Sequence, residues 1–484
     1  MSQTHRDDLA PTTPEQRTWS TWHIAALWIG MAVCIPTYTL AAGMISQGMA
    51  WWQAVLTVAL GNAIVLIPMI LNGHAGAKYG IPFPVLMRSS FGHIGANIPA
   101  MARALVACGW FGIQAWIGGD AIYKVLAAVG LIDLTIDKSQ HMTVLGITAW
   151  QGACFLAFWL MNVYFIWNGI SAIKWLESWA APFLILAGLA LLGWAMVKVD
   201  SISTLFAAGS RLKDGVSFWS VFWPQLTAMV GFWATLSLNI PDFTRYAKNQ
   251  QSQAWGQALG LPTTMTLFCF IGIMVTSATT MIYGEAVWDP VALVARFGSV
   301  PVIIVSLIAL SVATLTTNIA ANVVSPANDF ANLAPRRISA RAGGMATAVI
   351  GILMMPWYLC NNLAAYTFTW LIGYSALLGP IAGIMLCDYY LLKRTRLSIR
   401  ALYDARNSEY GAGINWRAVV ALLVAVTPNL PGFANALAGS GGTPPFPRVF
   451  DVIYGYAWFI GLILGAAVYY VLTCRRRDLV PADA

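Results

Sequence analysis

The sequence predicts an all-α integral membrane protein of twelve transmembrane helices, and three observations carry that prediction. Only 10% of the 484 residues are charged and 58% are hydrophobic, whereas a soluble globular chain carries about 25% charged residues. A soluble protein of this length would have to leave most of its surface apolar. An ordinary soluble enzyme, a disordered chain and a disulfide-stapled secreted domain are therefore excluded. Second, apolar runs of about 20 residues, the length that crosses a hydrocarbon core, recur along nearly the whole chain. Third, the positive charge alternates from side to side. The net charge of +8 could mark a nucleic-acid binder, but such a protein gathers its basic residues in one patch. Here only Lys124, Lys138, Lys198, Arg211, Lys213, Arg296 and Arg448 fall on outer segments when the N-terminus is placed inside. That leaves 20 of the 27 Lys and Arg on inner segments, as the retention of positive loops in the cytoplasm requires. A miscount by one span would scramble this asymmetry downstream. Both termini are expected in the cytoplasm and the protein in the cell membrane, and nucleic acid needs no role.

The elements follow in order. Residues 1–20 are polar and include Arg6, Asp7, Asp8, Glu15 and Arg17; without an apolar core or cleavage site they read as a cytoplasmic tail, not a signal peptide. The spans fall at about 22–46, 51–71, 99–128, 149–168, 176–197, 219–239, 259–282, 298–324, 345–359, 363–391, 416–437 and 449–473. The ninth is short for a full crossing. Between spans two and three, Asn72-Gly-His-Ala-Gly-Ala-Lys-Tyr-Gly-Ile-Pro-Phe-Pro is rich in Gly and Pro and predicts a structured turn or short re-entrant segment rather than a helix. No polar stretch is long enough to bury a core of its own. The seven cysteines lie in or just beyond apolar runs without a C-x-x-C pair, which reads as small buried hydrophobes.

Catalytic and channel signatures are missing. The sequence has no H-E-x-x-H, G-x-S-x-G or G-x-x-x-x-G-K element. The histidines His5, His23, His74, His93 and His141 are far apart. No repeated filter motif of the kind channels use is evident.

Transporters bind solute near the midplane, at helices interrupted there. Span one carries Gly30 and Pro36 in its middle, and span six carries Pro224 and Gly231. Proline lacks an N–H and clashes with the preceding turn, which frees carbonyls able to coordinate a cation. Spans one and six are the equivalent members of two five-helix repeats, although Gly and Pro are also simply commoner in membrane helices. In span three, Trp110 and Gln114 are four apart and share a face. An indole beside a carboxamide suits a flat heterocycle, the ring stacking and the amide offering donor and acceptor. Asp120, further along the same span, is an intramembrane carboxylate and hence a candidate proton site, or else a water-facing or paired group near the outer end. In span eight, Thr316 and Thr317 place two hydroxyl oxygens at mid-membrane, as a hard cation such as Na⁺ wants; back-bonding to their own helix is the other reading. Asn318 and Asn322 lie one turn apart and want a polar lining.

These residues resemble the nucleobase-cation-symport-1 transporters, which carry nucleobases, hydantoins, allantoin and related compounds. The resemblance covers about residues 20–475. Its most specific pieces are the Asn72–Pro84 stretch, Trp110-Phe-Gly-Ile-Gln114 and Leu238-Asn-Ile-Pro-Asp-Phe-Thr-Arg-Tyr246. It implies a leucine-transporter-like fold of two inverted five-helix repeats (about 21–198 and 215–392, in a core of 21–392), two additional C-terminal helices within 393–474 and a cytoplasmic tail at 475–484. It implies that Trp110 stacks one face of the substrate, Gln114 bonds its polar edge, Trp233 covers the other face and Asn322 completes the bonds, with Asn318 behind it. Cys34 and Gly231 join the substrate-lining set. A sodium site falls on the carbonyls of Gly30, Val33 and Ala313 and the hydroxyls of Thr316 and Thr317. The sequence departs from the family pattern at Cys34, polar in some relatives, and at Phe232, where the pattern can have Gly. The function implied is import of a small planar heterocycle by a monomeric, cofactor-free symporter. Na⁺ coupling is favoured by the Thr pair, and proton coupling through Asp120 is the alternative.

Overall fold

The structure, a computed structural model, describes residues 9–474 apart from 141, 144, 169–173, 200, 298, 336, 361–364, 405–412, 440 and 441. The basic tail Arg475–Arg477, the charges of residues 1–8, Arg336 and His141 lie outside the described residues. The twelve predicted segments correspond to helices. They are α1 (Thr21–Ala32 with Ile35–Ser46), α2 (Trp51–Tyr79), α3 (Asn97–Ala128), α4 (Ala149–Asn168), α5 (Lys174–Lys198) and α6 (Phe218–Phe232 with Ala234–Asn239). The second half comprises α7 (Gln250–Tyr283), α8 (Val300–Leu333), α9 (Ala340–Leu353), α10 (Ala365–Leu392), α11 (Trp416–Ala438) and α12 (Val449–Tyr454 with Ala457–Thr473). Among the described residues, seven of these are long and apolar enough to cross a membrane by themselves, and the two halves of α1 make an eighth crossing, bent by 60°. The sequence expectation for α9 holds. It ends at Met354, Met355 turns the chain with φ +47°, and Pro356 opens a separate short helix.

The bend in α1 has a local cause. Pro36 cannot donate to the preceding turn, and the chain answers by stretching at Cys34, which is extended at φ −148°, ψ 161°. The Cys34 N–H donates to Ala32 O at 3.1 Å, not to Gly30 O four residues back. In the second half-helix the first bond runs from the Tyr38 N–H to Cys34 O at 3.3 Å, so Val33 O is passed over as well. The α6 break is milder and sits at Trp233, which has φ −102°, ψ 6° and separates two helical segments.

The stretch after residue 71 is not a turn. α2 continues through Asn72 to Tyr79 and stops only at Gly80, which is left-handed at φ +71°. Its glycines serve close packing rather than chain reversal. A Cβ at Gly76 would meet Pro241 Cα at 2.8 Å. This contact brings the backbone of α2 against the segment that follows α6. There Thr244 Oγ1 donates to Gly73 O at 2.9 Å, Asn72 Nδ2 donates to Ser237 O at 2.6 Å, and the Phe83 N–H donates to Asp242 Oδ1 at 2.9 Å. Backbone hydrogen bonds must be satisfied within the segment in lipid, and a helix does this even where propensity is poor. The two motifs Asn72–Pro84 and Leu238–Tyr246 therefore meet at one end of the bundle. Arg103 of α3 and Asp329 of α8 close the same end with a fully buried ion pair at 3.3 Å, and Ser325 Oγ donates to Asp242 Oδ2 at 2.8 Å.

Both ends of the described chain lie at this end. Thr12 Oγ1 donates to Arg245 O at 2.6 Å, Tyr403 OH donates to Leu9 O at 2.6 Å, and Tyr469 OH near the end of α12 donates to Ser90 O at 3.3 Å. α10 packs along α12, where Gly465 lets Pro380 O approach to 2.6 Å from the position a Cβ would take. Large apolar side chains such as Leu56, Ile67, Leu160, Leu267, Val305 and Ile463 are exposed around the outside. An outward apolar girdle with polar bonds kept inside is what a bilayer solvent dictates.

Candidate functional site

The site is built where the α1 bend meets α3, α6, α8 and α10. Trp110 of α3 is 5% exposed. Its ring lies edge-on to Phe232 at 5.1 Å, to Trp370 at 6.0 Å and to Tyr366 at 6.1 Å. Edge-to-face geometry at these spacings is the favourable arrangement for aromatic pairs. The approach of Trp370 is possible because residue 109 is glycine, and a Cβ there would overlap the Trp370 ring. Gln114, one turn along α3, is 4% exposed, and its Oε1 is buried without a hydrogen-bond partner among the described residues. A buried unpaired acceptor of this kind costs about 1–3 kcal/mol and is aimed at something that can donate.

Trp233 is buried at the α6 break, with Nε1 unpartnered among the described residues, and its ring packs edge-on to Trp28 at 5.2 Å and Phe232 at 5.0 Å. Phe232 thus stands between Trp233 and Trp110 and touches both. The residue that departs from the family pattern is the one that faces the Trp110 ring. Gly231 has a packing duty, because a Cβ there would overlap Ser375 Oγ of α10 and sit 3.1 Å from Leu371 O. Cys34 Sγ lies 3.3 Å from Thr37 Oγ1, so the thiol is engaged locally within the second half of α1.

On α8 the two asparagines form a relay. Asn322 Nδ2 donates to Asn318 Oδ1 at 3.0 Å, and Asn318 Nδ2 donates to Asn162 Oδ1 of α4 at 3.1 Å and to Phe111 O of α3 at 3.2 Å. The relay fixes α8 against α3 one residue from Trp110 and leaves the Asn322 carboxamide oxygen as an acceptor. Thr316 Oγ1 donates to Ala313 O at 2.9 Å. A hydroxyl that gives its proton away presents its lone pairs elsewhere. Thr317 Oγ1 makes no hydrogen bond among the described residues. The first half of α1 packs against α8, and Val33 and Ala313 belong to the same apolar cluster. The oxygens of Gly30 and Val33 are passed over by helical bonding as described above, and free carbonyl oxygens are a donor type that hard cations take.

Asp120 lies further along α3, six residues beyond Gln114. Its carboxylate is bound to Lys124 at 2.6 Å, and Lys124 also reaches Asp289 at 3.4 Å. Sequence reasoning missed Tyr366, Trp370, Tyr374, Trp28 and Asn162, and it noted Phe232 only as a departure from the family pattern. The α10 aromatics carried a signal: Tyr366, Trp370 and Tyr374 recur every four residues, one stripe of a helix.

Packing at Gly231 is testable. Gly231→Ala is expected to destabilise the detergent-solubilised protein by about 1–3 kcal/mol through overpacking, read as a lower thermal midpoint. Adding Ser375→Ala removes the overlapping oxygen, and the double variant is expected to recover most of the loss. Equal midpoints for the single and double variants would show that the two positions do not meet.

Comparison with known proteins is consistent along the whole chain. Residues 11–461 match the family model described as permease for cytosine/purines, uracil, thiamine, allantoin. The chain is 44% identical to a purine-uracil permease of Arabidopsis thaliana, over 97% of this chain and 78% of the relative. It is 36% identical to an allantoin permease of Bacillus subtilis, over 96% and 92%. Among solved structures it is similar to Mhp1 in an inward-facing conformation, with a TM-score of 0.78, 26% identity and coverage of 99% and 96%. A closed structure of Mhp1 with bromovinylhydantoin bound gives a TM-score of 0.76, 27% identity and coverage of 96% and 94%. A Na⁺-coupled sialic acid symporter, 14% identical with a TM-score of 0.61, shares the fold. The chain belongs to the nucleobase-cation-symport-1 family of multi-pass membrane permeases.

Proposed function

We propose that this permease is a sodium-coupled importer of a small planar lactam or ureide heterocycle of the uracil, purine, allantoin or hydantoin type, working as a monomer. The observation that supports the reading is that the first half of α1 packs against α8, with the Gly30 and Val33 carbonyls passed over by helical bonding and Thr316 turning its proton to Ala313 O. Na⁺ binds between α1 and α8 and fixes the bent helix. The fixed helix orders the aromatic walls, with the heterocycle stacked on Trp110 and bounded on the α6 side by Phe232 and Trp233. Gln114 and Asn322 read its N–H and carbonyl edge. Release of both solutes follows when the α2–α6 and α3–α8 bonds at the end bearing the termini open, in alternating access between the two inverted repeats. That end faces the cytoplasm, in keeping with the 20 inner positive charges. The names of the relatives, purine-uracil and allantoin permeases, agree with the substrate class. The engagement of Asp120 by Lys124 supports sodium over a proton carried at Asp120.

The test is uptake of radiolabelled uracil and allantoin into proteoliposomes under imposed gradients. Accumulation is expected with Na⁺ high outside and the pH equal on both sides. Accumulation driven by a pH gradient in sodium-free buffer, with none driven by Na⁺, would overturn the coupling.

A further inference from the structure

Away from the end that carries the termini lies a cavity of about 510 Å³, within the size range of small-molecule sites. Its floor is Ile35 and Pro36 at the α1 bend, Ile113 of α3 and Tyr366 of α10. Ile113 directly precedes Gln114, and the Tyr366 ring is 6.1 Å from Trp110, so the cavity adjoins the central site. Three indoles from three separate elements converge on it. Trp116 comes from α3, Trp288 from the loop after α7, and Trp357 from the corner between α9 and α10. Trp116 and Trp357 lie 6.0 Å apart at an interplanar angle of 54°. The Trp357 Nε1 is buried without a hydrogen-bond partner among the described residues. The polar part of the wall is equally specific. Asp120, Lys124 and Asp289 form a chain of charges with acceptors at both ends. Gln151 spends its Oε1 on the Thr148 N–H at 3.0 Å, which leaves its amide N–H groups to donate.

A simple water-filled mouth needs none of this. Indoles facing water are unfavourable unless something covers them, and an unpaired buried donor is costly. Aromatic faces together with one donor and one acceptor are what the central site also offers. Helix α3 links the two, since Trp110, Ile113, Gln114, Ile117, Asp120 and Lys124 follow its helical period along one stripe. Asp120 stands about 9 Å beyond Gln114 at the helical rise.

We propose that this outer cavity is a second binding site for the same planar heterocycle, an entry station in which the ring stacks among Trp116, Trp288 and Trp357 while its N–H and carbonyl edge meets Asp120 and Gln151. The proposal rests on the substrate class proposed above. It assigns Asp120 to recognition at the entrance instead of proton coupling. It also explains why Lys124 is held between two carboxylates. The Asp120 and Asp289 carboxylates are thereby held in place, with oxygens available to accept.

The test is equilibrium dialysis of the purified full-length protein in saturating Na⁺ against radiolabelled uracil and, separately, allantoin. The wild-type chain is expected to bind two molecules, one tightly and one at least about tenfold more weakly. Gln114→Ala is expected to keep only the weak site. Trp288→Ala is expected to keep the tight site unchanged and to weaken the second about tenfold or more, the fold-change that loss of one aromatic stacking partner produces. Trp357→Phe, which keeps a ring but removes the N–H, is expected to weaken the second site about threefold or more and serves if Trp288→Ala does not fold. One molecule per chain in the wild type, or a second site indifferent to both variants, overturns the entry station while leaving the central site standing. Absence of any heterocycle binding overturns the substrate class and the entry station together.

Discussion

Replacing Gln114 by Ala is expected to reduce heterocycle uptake to background while leaving the protein as stable as the wild type or slightly more stable. The two halves of that expectation come from the same atom. In the structure Gln114 Oε1 is buried and unpaired, so the folded protein bears a desolvation cost of about 1–3 kcal/mol that alanine removes. In the complex proposed above, the same oxygen accepts from the heterocycle. Its loss leaves a ligand N–H buried without a partner, and the complex bears the cost instead. The expected weakening is about 100-fold, from a penalty near the upper end of that range. Sites built to bond a polar group reject the unpaired alternative by large factors for this reason. The measurements are binding by dialysis and a thermal melt of the same preparation. A variant that binds normally would remove Gln114 from the site. A variant that loses binding together with a large drop in melting temperature would make Gln114 a structural residue only.

The contrast of stability and function separates Gln114 from its neighbours. Truncation of Trp110 is expected to lose both, because its ring is wedged among Phe232, Tyr366 and Trp370 and truncation of a buried aromatic costs about 3–5 kcal/mol.

Much of the architecture was legible because a membrane imposes length and charge rules on the sequence itself. Twelve apolar stretches and an uneven distribution of Lys and Arg do not depend on tertiary contacts. The break in α1 was legible because Pro36 must disturb its own helix. The reading failed where local propensity and solvent compete. Asn72–Tyr79 contains three residues of the types that mark turns in water, Asn72, Gly73 and Gly76, yet it is helical. In that setting glycine is a packing residue, and Gly76 gives up its side chain to the approach of Pro241. Partners separated by long stretches of chain were illegible for a different reason. The bond from Asn318 to Asn162 joins residues 156 positions apart, and nothing in either segment names the other. Phe232 shows the same limit in the site. The sequence marks it as a departure from the family, but only the bend of α6 decides that its ring, ahead of Trp233, reaches Trp110. Asp120 was legible in two ways, as a proton site or as a paired group near the outer end, and the structure pairs its carboxylate with Lys124 one turn along the same helix.

Thr316→Val with Thr317→Val is expected to abolish the effect of sodium on heterocycle binding without changing affinity in its absence. Valine keeps the volume and branching of threonine and removes only the oxygen, so the α8 packing is preserved while the proposed cation set loses two of its ligands. In the wild type, Na⁺ is expected to raise heterocycle affinity at least tenfold, a coupling free energy within the usual 1–3 kcal/mol. Coupling between two ligands is reciprocal, so saturating heterocycle must raise Na⁺ affinity by the same factor, and ²²Na⁺ binding measures that side independently. In the double variant both factors are expected to fall to about one. The expectation has a structural reason. Thr316 donates its proton to Ala313 O, so its lone pairs and the neighbouring Thr317 oxygen are the side-chain parts of this α8 turn proposed to hold the cation. A variant that retains the sodium effect places the cation elsewhere. A wild type with no sodium effect on either ligand removes sodium from the mechanism. Asp120→Asn under a pH gradient then becomes the deciding measurement, because a proton carried at that carboxylate cannot survive its conversion to an amide.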